Sequence, residues 1–235
     1  MTVWDLADLR LLLPVLAVVL MLQGAGFVLG IGLLFPHVPR TAALYVTTGA
    51  VVMNLITVGL IFEPQVVAEQ RLKGGYEFLR ALPVPRAAAT LAWYTVALLV
   101  ALPAIVVGLL TGVARYQVAF HVRPAIVPVV LAVCLTGVLI GYAIAHGLAP
   151  ALARVVSITM IFVMTGFSPV VFPAGQLPGW LAEVNEWLPF GSMGTLMRAA
   201  LVDGFGAGAA RACLVVAVWA AAAALAVAWA LGHRG

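Results

Sequence analysis

The chain has 235 residues, of which 65% are hydrophobic and 9% charged, with a formal net charge of +4. A soluble domain carries about 25% charged residues, so water-facing groups cannot cover this surface and most of it must face lipid. The modest positive charge suits loops near anionic headgroups, not the basic stripe that nucleic acid requires.

The opening residues MTVWDLADLR carry Asp5 and Asp8 where a cleavable signal would carry basic residues, so the first apolar run is expected to stay in the protein. A helix needs about 20 apolar residues to cross a hydrocarbon core roughly 30 Å thick. Six runs meet that length, at about 11–35, 42–62, 88–112, 125–146, 153–171 and 210–231. The reading is one all-α, polytopic membrane domain over 1–235 with six transmembrane helices.

No Lys, Arg, Asp or Glu lies deep inside a run. Carriers driven by protons or sodium keep an ionisable group near the midplane to hold the coupling ion. Here the polar groups at depth are neutral: Asn54, Thr57, Thr136 and Thr159. Each reads first as a hydrogen bond to its own helix or to a neighbouring one. Cys134 and Cys213 sit in separate runs as small apolar side chains. Small-residue pairs at Gly26/Gly30, Gly108/Gly112 and Gly137/Gly141 would allow close helix approach. His37, His121, His146 and His233 stand near run ends, where an interfacial imidazole is the default. There is no GxxxxGK[ST] phosphate loop, no HExxH and no Cys/His cluster, so no cofactor or metal is expected on this chain.

Between the second and third runs lies EQRLKGGYEFLRALPVPR, residues 69–86, with four of the twelve basic residues. Residues 66–72 read as a short helix and Gly74-Gly75 as a swivel. In YEFLRAL, Phe78, Leu79 and Leu82 fall to one side, and Glu77 and Arg80 to another. Pro83 and Pro85 stop that helix. A solvated basic loop is the plain alternative. The order of residues favours a compact amphipathic helix suited to a groove on a partner.

Residues 166–192 fit no crossing. Pro169, Pro173, Pro178 and Pro189 break any continuous helix. Between two of them WLAEVNEWL reads as about two turns of helix with Trp180 and Trp187 at its ends, the headgroup level favoured by Trp. This predicts a re-entrant or interfacial helical hairpin between helices 5 and 6, with an ordinary amphipathic loop as the alternative.

With six crossings, both termini share a side with the 63–87 loop. That side collects Arg10, Arg71, Lys73, Arg80, Arg86, Arg154 and Arg234, against five basic residues on the other. The positive-inside rule places the loop and both termini in the cytoplasm.

These two segments together resemble the permease subunits of ABC-2 type transporters. EQRLKGGYEFLRALPVPR is similar to that family's glutamate/arginine–glycine–x–glutamate–x–leucine segment, which ends in proline and a basic residue. The outer stretch is similar through Phe172-Pro173, Leu177-Pro178, Trp180, Pro189 and Arg198. Leu72 and Gly75 stand where the family often has an acidic residue and a threonine. The resemblance implies a coupling helix at 63–86 seated on a separate ATP-binding subunit. Its coupling residues would be Glu69, Arg71, Lys73, Glu77, Phe78 and Arg80, with Pro83 and Pro85 bracing the return and Arg86 at the start of the third span. It implies an outer re-entrant gate at 169–192 built on Phe172, Pro173, Leu177, Pro178, Trp180, Glu183 and Trp187. The first, second and fifth spans would line the route, with Asn54, Thr57, Thr159 and Phe167 on it. The resemblance further implies two ATPase copies holding ATP and Mg, and a second permease, identical or homologous. It also implies a multi-pass position in a bacterial inner membrane and export of an amphipathic or lipid-like substrate. The competing readings are a membrane-embedded enzyme for lipid or isoprenoid substrates, with Glu183, Glu186, Asp203 and His121 as its candidates, and an anchoring subunit without transport.

Overall fold

The computed structural model describes residues 3–35, 37–62, 64–65, 67 and 86–233, and within these the side chains of 3–12, 86–90, 93, 203 and 231–233 are not described. The protein is all-α, and six of its helices are long and apolar enough to cross a membrane. The long helices are α1 (Val3–Leu34), α2 (Arg40–Thr57, continued by a π-helical turn, Val58–Phe62), α3 (Arg86–Tyr116), α4 (Ile126–Gly147) and α5 (Pro150–Phe167). Two short helices follow, α6 (Gly179–Trp187) and α7 (Pro189–Arg198, continued by a second π-helical turn, Ala199–Asp203), and α8 (Ala207–His233) closes the chain.

The boundaries follow local chemistry. Pro150 sits in the first turn of α5, where its missing N–H is not needed. The helix ends at Phe167, two residues before Pro169, so the fifth span stops short of the 171 expected from apolarity alone. Past the end of α3, Gln117 takes the left-handed conformation (φ 51°) and its N–H bonds Val113 O at 2.9 Å. Pro178 precedes α6 and Pro189 opens α7, so the predicted WLAEVNEWL helix lies one residue earlier, at Gly179–Trp187.

Helix α2 is the hub. It packs against α1, α3, α4 and α7, and residues 46–60 are buried without a break. A helix apolar all round has no face that must meet water, so it can be enclosed completely. The helices around it bury one face and show the other to lipid: Val15, Val18 and Leu22 on α1, Val155, Phe162 and Phe167 on α5, and Leu214, Val218 and Leu225 on α8.

Two contacts set how tightly the hub is held. Gly59, in the π-helical turn, lies against the backbone of Gly137 and Val138, so close that a Cβ would overlap it. Gly112 of α3 admits the side chain of Thr47 in the same way. The pairs at 108/112 and 137/141 thus each place a glycine against α2, whereas Gly26 and Gly30 have no atom within 4 Å of a Cβ position. Threonines close their hydroxyls locally: Thr47 on Ala43 O (2.8 Å), Thr111 on Val107 O (2.7 Å) and Thr136 on Ala132 O (2.8 Å). His146, next to the end of its span, is turned into the bundle. It is buried, bonds Tyr142 O at 2.9 Å and stacks on the Tyr142 ring with centroids 4.1 Å apart. The i, i+4 spacing on α4 brings the two rings together.

Gly59→Val is expected to push α2 off α4 and to lower stability by about 1–3 kcal/mol or more. Gly26→Ala, in open space, should leave it unchanged. Thermal melting of the purified protein in one detergent compares the two.

Candidate functional site

Three places in the bundle carry the polar chemistry. The first is near mid-depth on α2. The carboxamide of Asn54 is fully buried against Gly24 of α1, and a Cβ on Gly24 would come 2.5 Å from its Nδ2. Neither Nδ2 nor Oδ1 of Asn54 has a hydrogen-bond partner among the described residues. One turn on, Thr57 Oγ1 accepts a 3.3 Å hydrogen bond from Gln23 Nε2, which links α1 to α2. The π-helical turn starts at the next residue, and such turns recur at functional positions in helices. A buried amide without partners costs about 1–3 kcal/mol. Two of the four residues expected on a route, Asn54 and Thr57, therefore stand together. Thr159 and Phe167 stand elsewhere, on the exposed face of α5.

The second place is the end of the bundle that holds the 168–203 stretch. Helix α7 is almost wholly buried and packs on α2, α4 and α8. At its end Arg198, 7% exposed, donates to Val170 O (2.9 Å) and Pro169 O (3.2 Å), and its guanidinium lies 4.0 Å over the Tyr45 ring of α2. Backbone carbonyls and a ring face together make a site for a charge out of water, which a planar guanidinium suits better than an ammonium. Helix α6 is tied differently. Asn185 Nδ2 bonds Phe167 O (2.7 Å) at the end of α5, and Trp219 Nε1 of α8 bonds Trp187 O (2.8 Å). Glu186 pairs with Arg211 at 2.7 Å, both about half exposed, so this ion pair adds little. Of the residues expected in an outer gate, Phe172, Pro173 and Leu177 are half-buried in the connecting stretch. Pro178 precedes α6, and Trp180, Glu183 and Trp187 are exposed on it. The burial of Arg198 and the separate helix α7 are what residue patterns missed. The single arginine within an otherwise small and apolar stretch was the available signal.

The third place is the 63–86 segment. Pro64 and Val67, just past α2, are buried. Glu69, Arg71, Lys73, Glu77, Phe78, Arg80 and Pro83 lie outside the described residues, and Arg86 opens α3 with its side chain not described.

Of the enzyme candidates, the side chain of Asp203 is not described. Glu186 is engaged by Arg211, while Glu183 and His121 are exposed. Among the described residues no group of three or more His, Cys, Asp or Glu could hold a metal ion.

A family model described as ABC-2 family transporter protein matches residues 14–230, from the first long helix to the last. The chain belongs to that family. Comparison with curated proteins and with solved structures gives no match. As an ABC-2 family protein the chain is the multi-pass membrane permease of an ABC transporter, a transport component and not the catalytic one. Membership implies association with an ABC ATP-binding subunit.

Arg198→Met is expected to leave the carbonyls of Pro169 and Val170 without this donor and to lower stability by about 1–3 kcal/mol. Amide hydrogen exchange should rise at Val170 and Val171. Asn54→Leu has the opposite sign for stability, because a side chain of similar shape replaces an unsatisfied amide: the melting midpoint should hold or rise. A fall would show that the amide is structural.

Proposed function

We propose that this permease is the membrane half of an exporter. It moves an amphipathic or lipid-like molecule out of the cytoplasm or the inner leaflet, driven by ATP hydrolysis on the partner subunit. The observation that carries this reading is the family match laid over six span-length apolar helices whose buried polar groups at depth are neutral. Asn54, Gln23 and Thr57 offer hydrogen bonds without charge, in walls that are otherwise apolar. Such a lining favours a molecule that is mostly apolar with a few polar groups.

In this reading the assembly has two ATP-binding subunits, which hold ATP and Mg, and two permeases, identical or homologous. It sits in a bacterial inner membrane with both permease termini in the cytoplasm, on the side where the basic 63–86 segment gathers. That segment is the coupling helix: Glu69, Arg71, Lys73, Glu77, Phe78 and Arg80 contact the ATPase, and Pro83 and Arg86 brace the return into α3. Closure of the ATPases on nucleotide moves this helix. The push enters α2 at its π-helical turn, the hub on which α1, α3, α4 and α7 all rest. At the far end the 169–192 stretch re-enters the outer side as a gate, with Phe172, Pro173, Leu177 and Pro178 shaping the turn and Trp180, Glu183 and Trp187 at the headgroup level. Arg198 ties that stretch to Tyr45 of α2, so the same helix joins coupling segment and gate. Asn54, Thr57, Thr159 and Phe167 contribute to the route, with the α5 residues brought to it by the second permease.

The complex of this chain with its ATP-binding subunit tests the reading. Arg71→Glu and Phe78→Ala are expected to lower substrate-stimulated ATP hydrolysis at least about tenfold, the loss of one well-buried contact at an interface. Hydrolysis by the ATPase alone should be unchanged. Coupling that survives both substitutions would overturn the role given to the 63–86 segment.

A further inference from the structure

A groove of about 530 Å³ runs between α4 and α8, and neither Asn54 nor any residue of α5 lines it. Its walls are Pro128 and Ala132 of α4 and Cys213 and Ala217 of α8, and its floor is the buried Leu196 of α7. Phe205 stands at the mouth, 47% exposed. The one hydroxyl in the lining, on Thr136, is already bonded to Ala132 O, so the walls offer a ligand only the weakly polar thiol of Cys213.

Depth fixes what such a groove can hold. It begins at Ala125, where the span Ile126–Gly147 enters the membrane, and ends at Thr136, halfway along that span. Eleven residues of helix rise about 16 Å, roughly half of a 30 Å hydrocarbon core. The groove is therefore one leaflet deep and opens sideways to lipid. Its volume lies within the roughly 300–1,000 Å³ of small-molecule sites.

Charge fixes the other end. Arg123 is exposed just beyond the mouth, and its guanidinium lies against Gly204, the residue before Phe205. Its backbone N–H bonds Ala200 O at 3.3 Å, and that of His121 bonds Leu201 O at 2.8 Å, which pins the 117–123 stretch to the π-helical turn after α7. Gly204 itself is left-handed (φ 80°), and a Cβ there would run into the guanidinium. Arg123 makes no ion pair among the described residues, whereas Arg211, the other basic residue near the start of α8, is taken by Glu186 and Trp187.

We propose that the α4–α8 groove is a phospholipid site: one acyl chain lies in the groove and the lipid phosphate sits on Arg123. Phosphate oxygens meet an exposed guanidinium beside the mouth, and the chain fills an apolar slot the depth of one leaflet. This inference does not rest on the export reading, since it uses only the span geometry and the groove.

The full chain in nanodiscs of phosphatidylethanolamine and phosphatidylglycerol tests it, with a trace of phosphatidylglycerol carrying a diazirine on one acyl chain. After illumination, labelled peptides are mapped. Label is expected on residues 125–136 and 213–220, several-fold above that on the exposed α5 face at Val155 and Phe162. Ala217→Trp, which fills the groove, should cut the groove label about tenfold, since several methylenes lose their burial. Arg123→Gln should cut it several-fold, and label on α5 should hold in both. Retained α5 label with an unchanged melting midpoint shows that a variant is folded. Ala220→Leu, a smaller filling change, replaces Ala217→Trp if that variant does not fold. Even labelling of all lipid-facing helices, or groove label indifferent to the substitutions, overturns the proposal. So does a groove protected by a second copy of the chain, seen as disulfide-linked dimers through Cys213.

Discussion

The close approach of Gly59 to the backbone of Gly137 is the contact on which the rest of the bundle depends. In lipid there is no hydrophobic gain from bringing two apolar helices together, so association rests on packing and on a few hydrogen bonds. Packing is strongest where backbones meet directly, and only glycine allows that. With Gly59 on α4 and Thr47 against Gly112 on α3, α2 is enclosed along most of its length. Every other long helix keeps a lipid face.

An enclosed hub has a mechanical consequence. The 63–86 segment hangs from one end of α2, and Tyr45 near the other end holds Arg198. A displacement of the hub is felt at both ends, because close-packed side chains transmit strain and do not absorb it. The unsatisfied amide of Asn54 lies between these ends, at a point where a purely structural helix would place an apolar side chain. The proposed phospholipid groove is lined by Thr136 of α4 and Leu196 of α7, two helices that pack on the hub, so a bound lipid would bear on the walls that hold α2.

The 168–203 stretch shows how a charge is kept in such a place. Arg198 has carbonyl oxygens in its plane and an aromatic face beneath it, so burial does not strip it of partners. Helix α6, by contrast, keeps its two tryptophans and Glu183 outside and is attached through Asn185 and Trp219. One half of the stretch is built into the core and the other rests on its rim.

Six span-length apolar helices, the break at Pro169–Pro189 and the α6 helix were legible from residue order, because run length against bilayer thickness and proline chemistry are local rules. The family followed from two short segments and was borne out over 14–230. Tertiary structure alone decided which span became the hub, since several runs are equally apolar and only packing chooses among them. It also decided that Gly137 and not Gly26 makes a contact, that His146 is inside, and that α7 is a helix carrying a buried Arg198. Those outcomes depend on partners far apart in the chain, such as Tyr45 with Arg198 and Gly24 with Asn54, and no periodicity within one segment records what a distant segment will bring to it.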